Sequence, residues 1–362
     1  MKLLILSRYD GRGASSRIRF LQYIPHLERA GFEVEVASFF DAAYLDSIYS
    51  GRAVRFNSLG YFARRLQQIL RVRSFDVIWL EKEALPWIPW PVERLLFPAS
   101  VPIASDFDDA VFHRYDMHSR PSVRRLLGQK IDRVMAHSQM VFAGNDYLAG
   151  RARSAGASRV ELIPTVIDLN AYPVESKASC DGRLRVGWIG TPETWDKFVS
   201  PMQNMIGEVA AEHNAVFRCV GATSSVSSRL HFEFLPWSEE HEVSMIQEMD
   251  IGIMPLPDTP WAQGKCGYKL IQYMACGIPV VASPVGVNSR IVEHGVNGFL
   301  ASNESDWNIA VSTLLANPQL RHEMGAAGRK KVEAEYSVQV YGPRVVQNLL
   351  ELAESRNRSR SA

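Results

Sequence analysis

The run Gly264-Lys265-Cys266-Gly267-Tyr268-Lys269-Leu270-Ile271-Gln272-Tyr273-Met274-Ala275-Cys276-Gly277-Ile278-Pro279-Val280-Val281-Ala282-Ser283 holds a loop, a helix and a strand in direct succession. A glycine-bearing loop opens a helix over residues 268–275, Gly277 ends it, and Pro279 begins a buried strand. A helix start facing a loop gathers backbone N–H groups and the positive end of the helix dipole, which together suit an anion. Lys265 and Lys269 are four residues apart, so on one helical face they would add two full charges for a diphosphate. The same string also describes an ordinary Rossmann-type layer with solvated lysines, and local physics leaves the two readings open.

Outward from this run, short apolar segments alternate with stretches of helical period, the pattern of parallel strands joined by crossover helices. On the N-terminal side the strands are predicted at residues 3–7, 34–39, 77–80, 101–105, 140–143 and 160–163. One helix is expected over 17–30, with Ile18, Leu21, Ile24 and Leu27 on its apolar face. The polar stretch 168–182 breaks the series, and a new one starts at Leu184-Arg185-Val186-Gly187-Trp188-Ile189-Gly190. Its further strands fall at 215–220, 232–235, 251–254, 279–282 and 298–301, with helices at 239–249 and 268–275. A long helical tail runs from 305 to about 356, with a frayed end beyond it. The fold class is α/β, in two halves, as a chain of 362 residues leads one to expect.

Bulk properties narrow the function classes. There are 40 basic and 39 acidic side chains, so no net field draws nucleic acid. Residues 1–170 nevertheless carry 23 basic against 18 acidic groups, and the remainder 17 against 21, so the first half suits an anionic surface. Cys180, Cys219, Cys266 and Cys276 lack metal-like spacing and fit a reducing compartment. The apolar start is too short for a leader, being closed by Arg8, Tyr9 and Asp10, and no segment is apolar enough to span a bilayer. The expected location is the cytoplasm, extending to the inner face of the plasma membrane.

The 264–283 run is similar to the nucleotide-sugar signature of glycosyltransferase family 4 (glycosyl transferases group 1), as are Pro284-Val285-Gly286-Val287-Asn288 and Glu293-His294-Gly295-Val296-Asn297-Gly298-Phe299-Leu300. Ala14-Ser15-Ser16-Arg17-Ile18-Arg19, following Gly11 and Gly13, resembles the glycine-containing loop of the same enzymes. The resemblance implies a GT-B fold of two Rossmann-like domains with parallel sheets facing a central cleft. Residues 1–170 would form the acceptor side, 183–340 the nucleotide-sugar domain, and 341–362 a helix returning to the first domain. It also implies a glycosyltransferase with a nucleotide-diphosphate sugar as co-substrate, no further cofactor, and a glycan or lipid-linked acceptor in cell-surface polysaccharide assembly.

Carried over residue by residue, the resemblance places Gly11, Gly13, Arg17, Gly190, Thr191, Lys265, Gly267, Tyr268 and Gln272 at the donor, with Lys197 and Lys269 on the leaving diphosphate. The two glutamates of retaining members fall here on Gly264 and Gln272, and the arginine of their first C-domain loop falls on Trp188. Gln272 keeps a carbonyl oxygen for a ribose hydroxyl, whereas Gly264 offers none, so sugar recognition shifts to Asp258 or the loop 257–263. Retention is the outcome the missing nucleophile favours. A sugar-nucleotide epimerase, or a silent partner protein on the same fold, are the rival readings. A dehydrogenase is weaker, since Gly11-Arg12-Gly13 lacks the third glycine of the dinucleotide fingerprint.

In the first half, Asp106, Asp108 and Asp109 follow a strand, where α/β folds place ligands. Carboxylates so close repel unless separated by cations or hydroxyls. Acceptor binding through Asp108 or Asp109, with His113 carrying a proton or donating a hydrogen bond, is preferred over a divalent-metal site, so no metal is expected. A third reading is a capped helix start. The acid-free stretch 47–75, with Arg52, Arg55, Arg64, Arg65, Arg71 and Arg73, contains an amphipathic helix with Phe62, Leu66, Ile69 and Leu70 on one face. With Leu85-Pro86-Trp87-Ile88-Pro89-Trp90 it suggests peripheral contact with anionic membrane, packing on the sheet being the alternative.

Overall fold

The computed structural model describes residues 1–41, 44, 58–174, 181–222 and 232–361. Arg52, Arg55 and Cys180 lie outside the described residues. The chain divides into two compact units, the first comprising Met1–Thr165, Gly264–Cys266 and Val338–Ala362, the second Val166–Gln263 and Gly267–Ser337. Among the described residues each unit is built on one six-stranded parallel sheet.

The first sheet contains β1 (Lys2–Leu6), β2 (Glu33–Val36), β3 (Val77–Glu81), β4 (Ile103–Phe107), β5 (Met140–Ala143) and β6 (Val160–Leu162). Their order is β2-β1-β3-β4-β5-β6, so the winding reverses between β1 and β3, the place where doubly wound sheets bind ligands. Helices on both faces explain why β3 to β5 are buried along their length, whereas the edge strand β2 exposes Glu33 and Val36. The expected helix over 17–30 is broken into Ala14–Arg19, a short turn at Leu21–Tyr23, and Ile24–Arg29. Pro25 is the cause: it has no N–H to continue a helix and fits only a new first turn. The helix Val338–Ser361 joins this unit through Arg159, which pairs with Glu351 at 2.8 Å, and through Arg356, which donates to the Arg73 carbonyl. It continues to Ser361 where fraying is expected from composition.

The second sheet contains β7 (Arg185–Ile189), β8 (Val216–Val220), β9 (Phe232–Leu235), β10 (Ile251–Met254), β11 (Val280–Ala282) and β12 (Gly298–Leu300). Its order, β12-β11-β10-β7-β8-β9, reverses between β7 and β10. The tail is three helices in place of one: Glu304–Ala316, Pro318–Glu335 and the helix of the first unit. Asn317 makes the first break, capping the next helix by accepting from the Leu320 amide while Pro318 takes its first turn.

The helix Ser58–Leu70 corrects the expected basic amphipathic face. Arg65 is buried and donates to the carbonyls of Ala37 and Ser7, Arg64 reaches Phe39 O, and Arg71 pairs with Glu35. Phe62 and Ile69 pack on the sheet, while Leu59, Leu66 and Leu70 face outward. Of the 85–90 patch Trp87 alone is exposed; Leu85 is buried and Trp90 packs against the core and His137. Among the described residues no helix is long and apolar enough to cross a membrane.

Candidate functional site

In the first unit the register of β3 on β4 sets Glu81 beside Asp106 at the carboxyl ends of both strands. Each of the three predicted carboxylates there has its own cation. Asp106 is held by Arg19 through two bonds of 2.8 and 3.1 Å, with both side chains 2% exposed. Asp108 accepts from Lys82 at 2.7 Å and from the Ser15 hydroxyl at 2.6 Å. Asp109 pairs with Lys265 at 2.9 Å. Glu81 completes the cluster, taking the Ser15 and Ser16 hydroxyls and the Arg8 amide.

Burial raises the Asp106 carboxyl to about 6 despite Arg19. For Asp108 burial also acts upward, but Lys82, Arg19 and the Ser15 hydroxyl outweigh it and hold the group well below the carboxylate range. Burial would lower Lys82, yet Asp108 and Glu81 leave it raised. Asp108 is therefore a fixed anion at neutral pH. Its two oxygens are oriented, and each retains lone-pair capacity for a hydroxyl donor.

The segment 264–266 is seated on the same ground. Asn145 caps the helix Asp146–Ser154 with its carbonyl oxygen and donates its amide to Lys265 O at 2.9 Å. The Cys266 thiol donates to Asp108 O at 3.1 Å. Gly264 lies so close to Ala110 that a Cβ would meet its amide nitrogen at 2.7 Å. No side chain fits there without a shift of the Ala110 backbone, so the position where the resemblance would place a glutamate contributes none.

His113 has both ring nitrogens engaged, Nδ1 with Asp116 at 2.8 Å and Nε2 with the Tyr147 hydroxyl at 2.7 Å, so the proton-carrier role has no open ring nitrogen. Gly11 is exposed in the turn after β1, Gly13 caps the helix Ala14–Arg19, and Arg17 lies half-buried on that helix. Sequence reasoning missed Ser15 and Arg19 inside a motif it had quoted, and Glu81 and Lys82. The available signal was a charged triplet, Glu81-Lys82-Glu83, closing an otherwise apolar buried strand.

In the second unit the residues expected at the donor are placed differently. The Gly190 amide bonds Val220 O at 3.0 Å and the Thr191 amide bonds the Thr194 hydroxyl at 3.0 Å. Both amides expected to face a phosphate are thus used inside the chain. Lys197 sits exposed on a π-helical turn, Trp195–Val199, paired with Glu193 at 2.6 Å. The helix Tyr268–Ala275 starts at Gly267, whose φ of 68° places it in the left-handed region. Helical geometry does not reach back to Lys265, so Lys265 and Lys269 are not a same-face pair. The Lys269 ammonium lies 5.8 Å from the centre of the Trp188 ring, which fills the arginine's place and is buried. Gln272 is buried, donating to the Tyr172 hydroxyl and to Glu242, while Tyr268 meets Tyr172 through their hydroxyls at 3.3 Å. Asp258 accepts from Gln263 at 2.6 Å.

Comparison with known proteins fits this architecture. Residues 183–317 match the family model described as glycosyl transferases group 1. The chain is 26% identical over 316 residues to a GDP-mannose-dependent monoacylated alpha-(1-6)-phosphatidylinositol monomannoside mannosyltransferase of Corynebacterium glutamicum, covering 80% of each chain. Among solved structures it is similar to sucrose-phosphate synthase from Thermosynechococcus elongatus, with a TM-score of 0.72, 14% identity, and coverage of 98% of this chain and 100% of that one. Anabaena HepE in complex with UDP gives 0.70 and 18%, covering 97% and 100%. With two six-stranded parallel Rossmann-like sheets and a match to the glycosyl transferases group 1 model across the second, this chain is a glycosyltransferase with the GT-B fold.

Proposed function

We propose that the chain moves a sugar from a nucleotide-diphosphate sugar to a hydroxyl of a glycan or lipid-linked acceptor in cell-surface polysaccharide assembly, in the cytoplasm and without a resident metal. Lys265 and Lys269 act on the diphosphate, and the Gln272 carbonyl oxygen accepts from the ribose. Asp108 and Asp109 orient substrate hydroxyls. The acceptor oxygen bonds to the anomeric carbon as the carbon–oxygen bond to the diphosphate breaks, and the acceptor proton passes to the departing phosphate. Gly264 supplies no carboxylate nucleophile, so attack on the face of departure, with retention, is the course we favour.

The observation that carries this reading is the one-to-one pairing of Asp106, Asp108 and Asp109 with Arg19, Lys82 and Lys265. Carboxylates gathered to hold a divalent ion would need that charge to offset their repulsion, whereas these are already balanced by protein cations. They are left as directed hydrogen-bond acceptors at the carboxyl end of β4, next to the strand that borders the sheet's switch point, which suits sugar hydroxyls. A lipid-linked acceptor is supported by the phosphatidylinositol mannoside named for the C. glutamicum relative.

A thermal-shift screen over UDP-, GDP- and ADP-sugars is expected to single out one donor, since a ligand of the folded state raises Tm by mass action. Turnover of that donor is expected to survive EDTA; loss restored by manganese would reverse the metal-free assignment.

A further inference from the structure

We propose that Lys82 is a positioning residue for transfer, clamped between Glu81 and Asp108 so that the Asp108 carboxylate stays charged and aimed at a substrate hydroxyl. The inference rests on the reading of Asp108 as a group that receives such a hydroxyl.

Three features set Lys82 apart from a lysine that merely ties two strands together. The first is closure: Lys82 Nζ is 2.7 Å from Asp108, 3.7 Å from Glu81 and 3.3 Å from the Ser15 hydroxyl, which itself bonds both carboxylates. The second is backbone strain. Lys82 adopts a φ of 63°, a region side chains beyond glycine and asparagine rarely enter, and such strain persists where surrounding structure enforces it. The third is that enforcement. Glu83 accepts from Lys130 and from the Tyr115 hydroxyl, and Glu93 accepts from the Ala84 and Leu85 amides, so the strand exit is locked on its far side. Simple cohesion does not require this arrangement, because β3 and β4 already pair in register from Ile78 to Glu81.

Asp108 is faced by Lys82 and Glu81 from the exit of β3, by Ser15 and Arg19 from the helix Ala14–Arg19, by Asp106 and Asp109 on its own segment, and by Lys265 and the Cys266 thiol. Removing the Lys82 ammonium leaves Asp108 beside Glu81 with one directly bonded cation fewer, so its protonation moves to higher pH.

The test is the pH dependence of kcat/KM in the full-length protein, with whichever of UDP-, GDP- or ADP-sugars the wild type turns over. Lys82→Met is expected to lower kcat/KM at neutral pH about tenfold or more, through kcat and not through KM for the nucleotide sugar, and to move the acid limb upward by about one pH unit or more. Lys82→Arg, which keeps the charge, is expected to restore the limb. Should Lys82→Met fail to fold, Ser15→Ala removes the other bond to the same carboxylate and is expected to move the limb the same way. A strong loss in Asp108→Asn with an unmoved limb in the Lys82 and Ser15 variants would overturn the inference alone. Wild-type rates in Asp108→Asn, or no turnover with any nucleotide sugar, would overturn the underlying reading and the inference together.

Discussion

Two lysines carry the electrostatic part of the account. Negative charge grows on the departing diphosphate, so a prepositioned ammonium stabilises the transition state more than the bound substrate. Lys265 is raised in pKa because Asp109 outweighs the burial that would lower it, so it remains charged through neutral pH. Lys265→Ala or Lys269→Ala is expected to reduce kcat by about a hundredfold; unchanged rates in both would remove them from the mechanism. Gly264 makes a different prediction. A methyl group there would meet Ala110's backbone, so Gly264→Ala is expected to lower unfolding stability by about 1–3 kcal/mol in urea titrations. At this scale the sequence was only half legible. The acidic run and its need for cations could be read directly, but which cation serves which carboxylate depends on strand register and on a left-handed turn at Lys82 that no local propensity signals.

Elements were easier to read than their side chains. Most strands showed themselves as short apolar runs because both faces of these sheets are covered, leaving errors of up to three residues at the ends, the largest at the edge strand β2. Helix ends were less visible, and two long helices proved to be several, with breaks where Pro25 and Pro318 take the first turn of a new helix and a further one between Glu335 and Val338 that no proline marks. The helix Ser58–Leu70 shows why pattern alone misleads. Its arginines look like a cationic face, yet Arg65 is spent on inward carbonyls. What remains outside is Leu59, Leu66 and Leu70, exposed by 81%, 39% and 77% and spaced to share one side. If a lipid-linked acceptor is met at a membrane, this stripe belongs to the contact. The wild type is expected to float with anionic vesicles and the triple Leu→Ser variant to stay behind; equal behaviour of the two would remove the stripe from any membrane role.

For the whole molecule, two parallel α/β halves follow from the alternating pattern, whereas the strand orders and their reversals come from the structure, and the family match over 183–317 covers the second sheet. The assignments of donor base, sugar and acceptor rest on side-chain chemistry too local for that pattern to encode. The most direct measurement is release of nucleoside diphosphate from the stabilising nucleotide sugar, followed with and without a membrane-lipid extract of a cell that makes the protein. Release is expected to depend on the extract, with the sugar recovered on a lipid or glycan. A nucleotide sugar that binds but is never cleaved, or is altered equally with and without the extract, would contradict this.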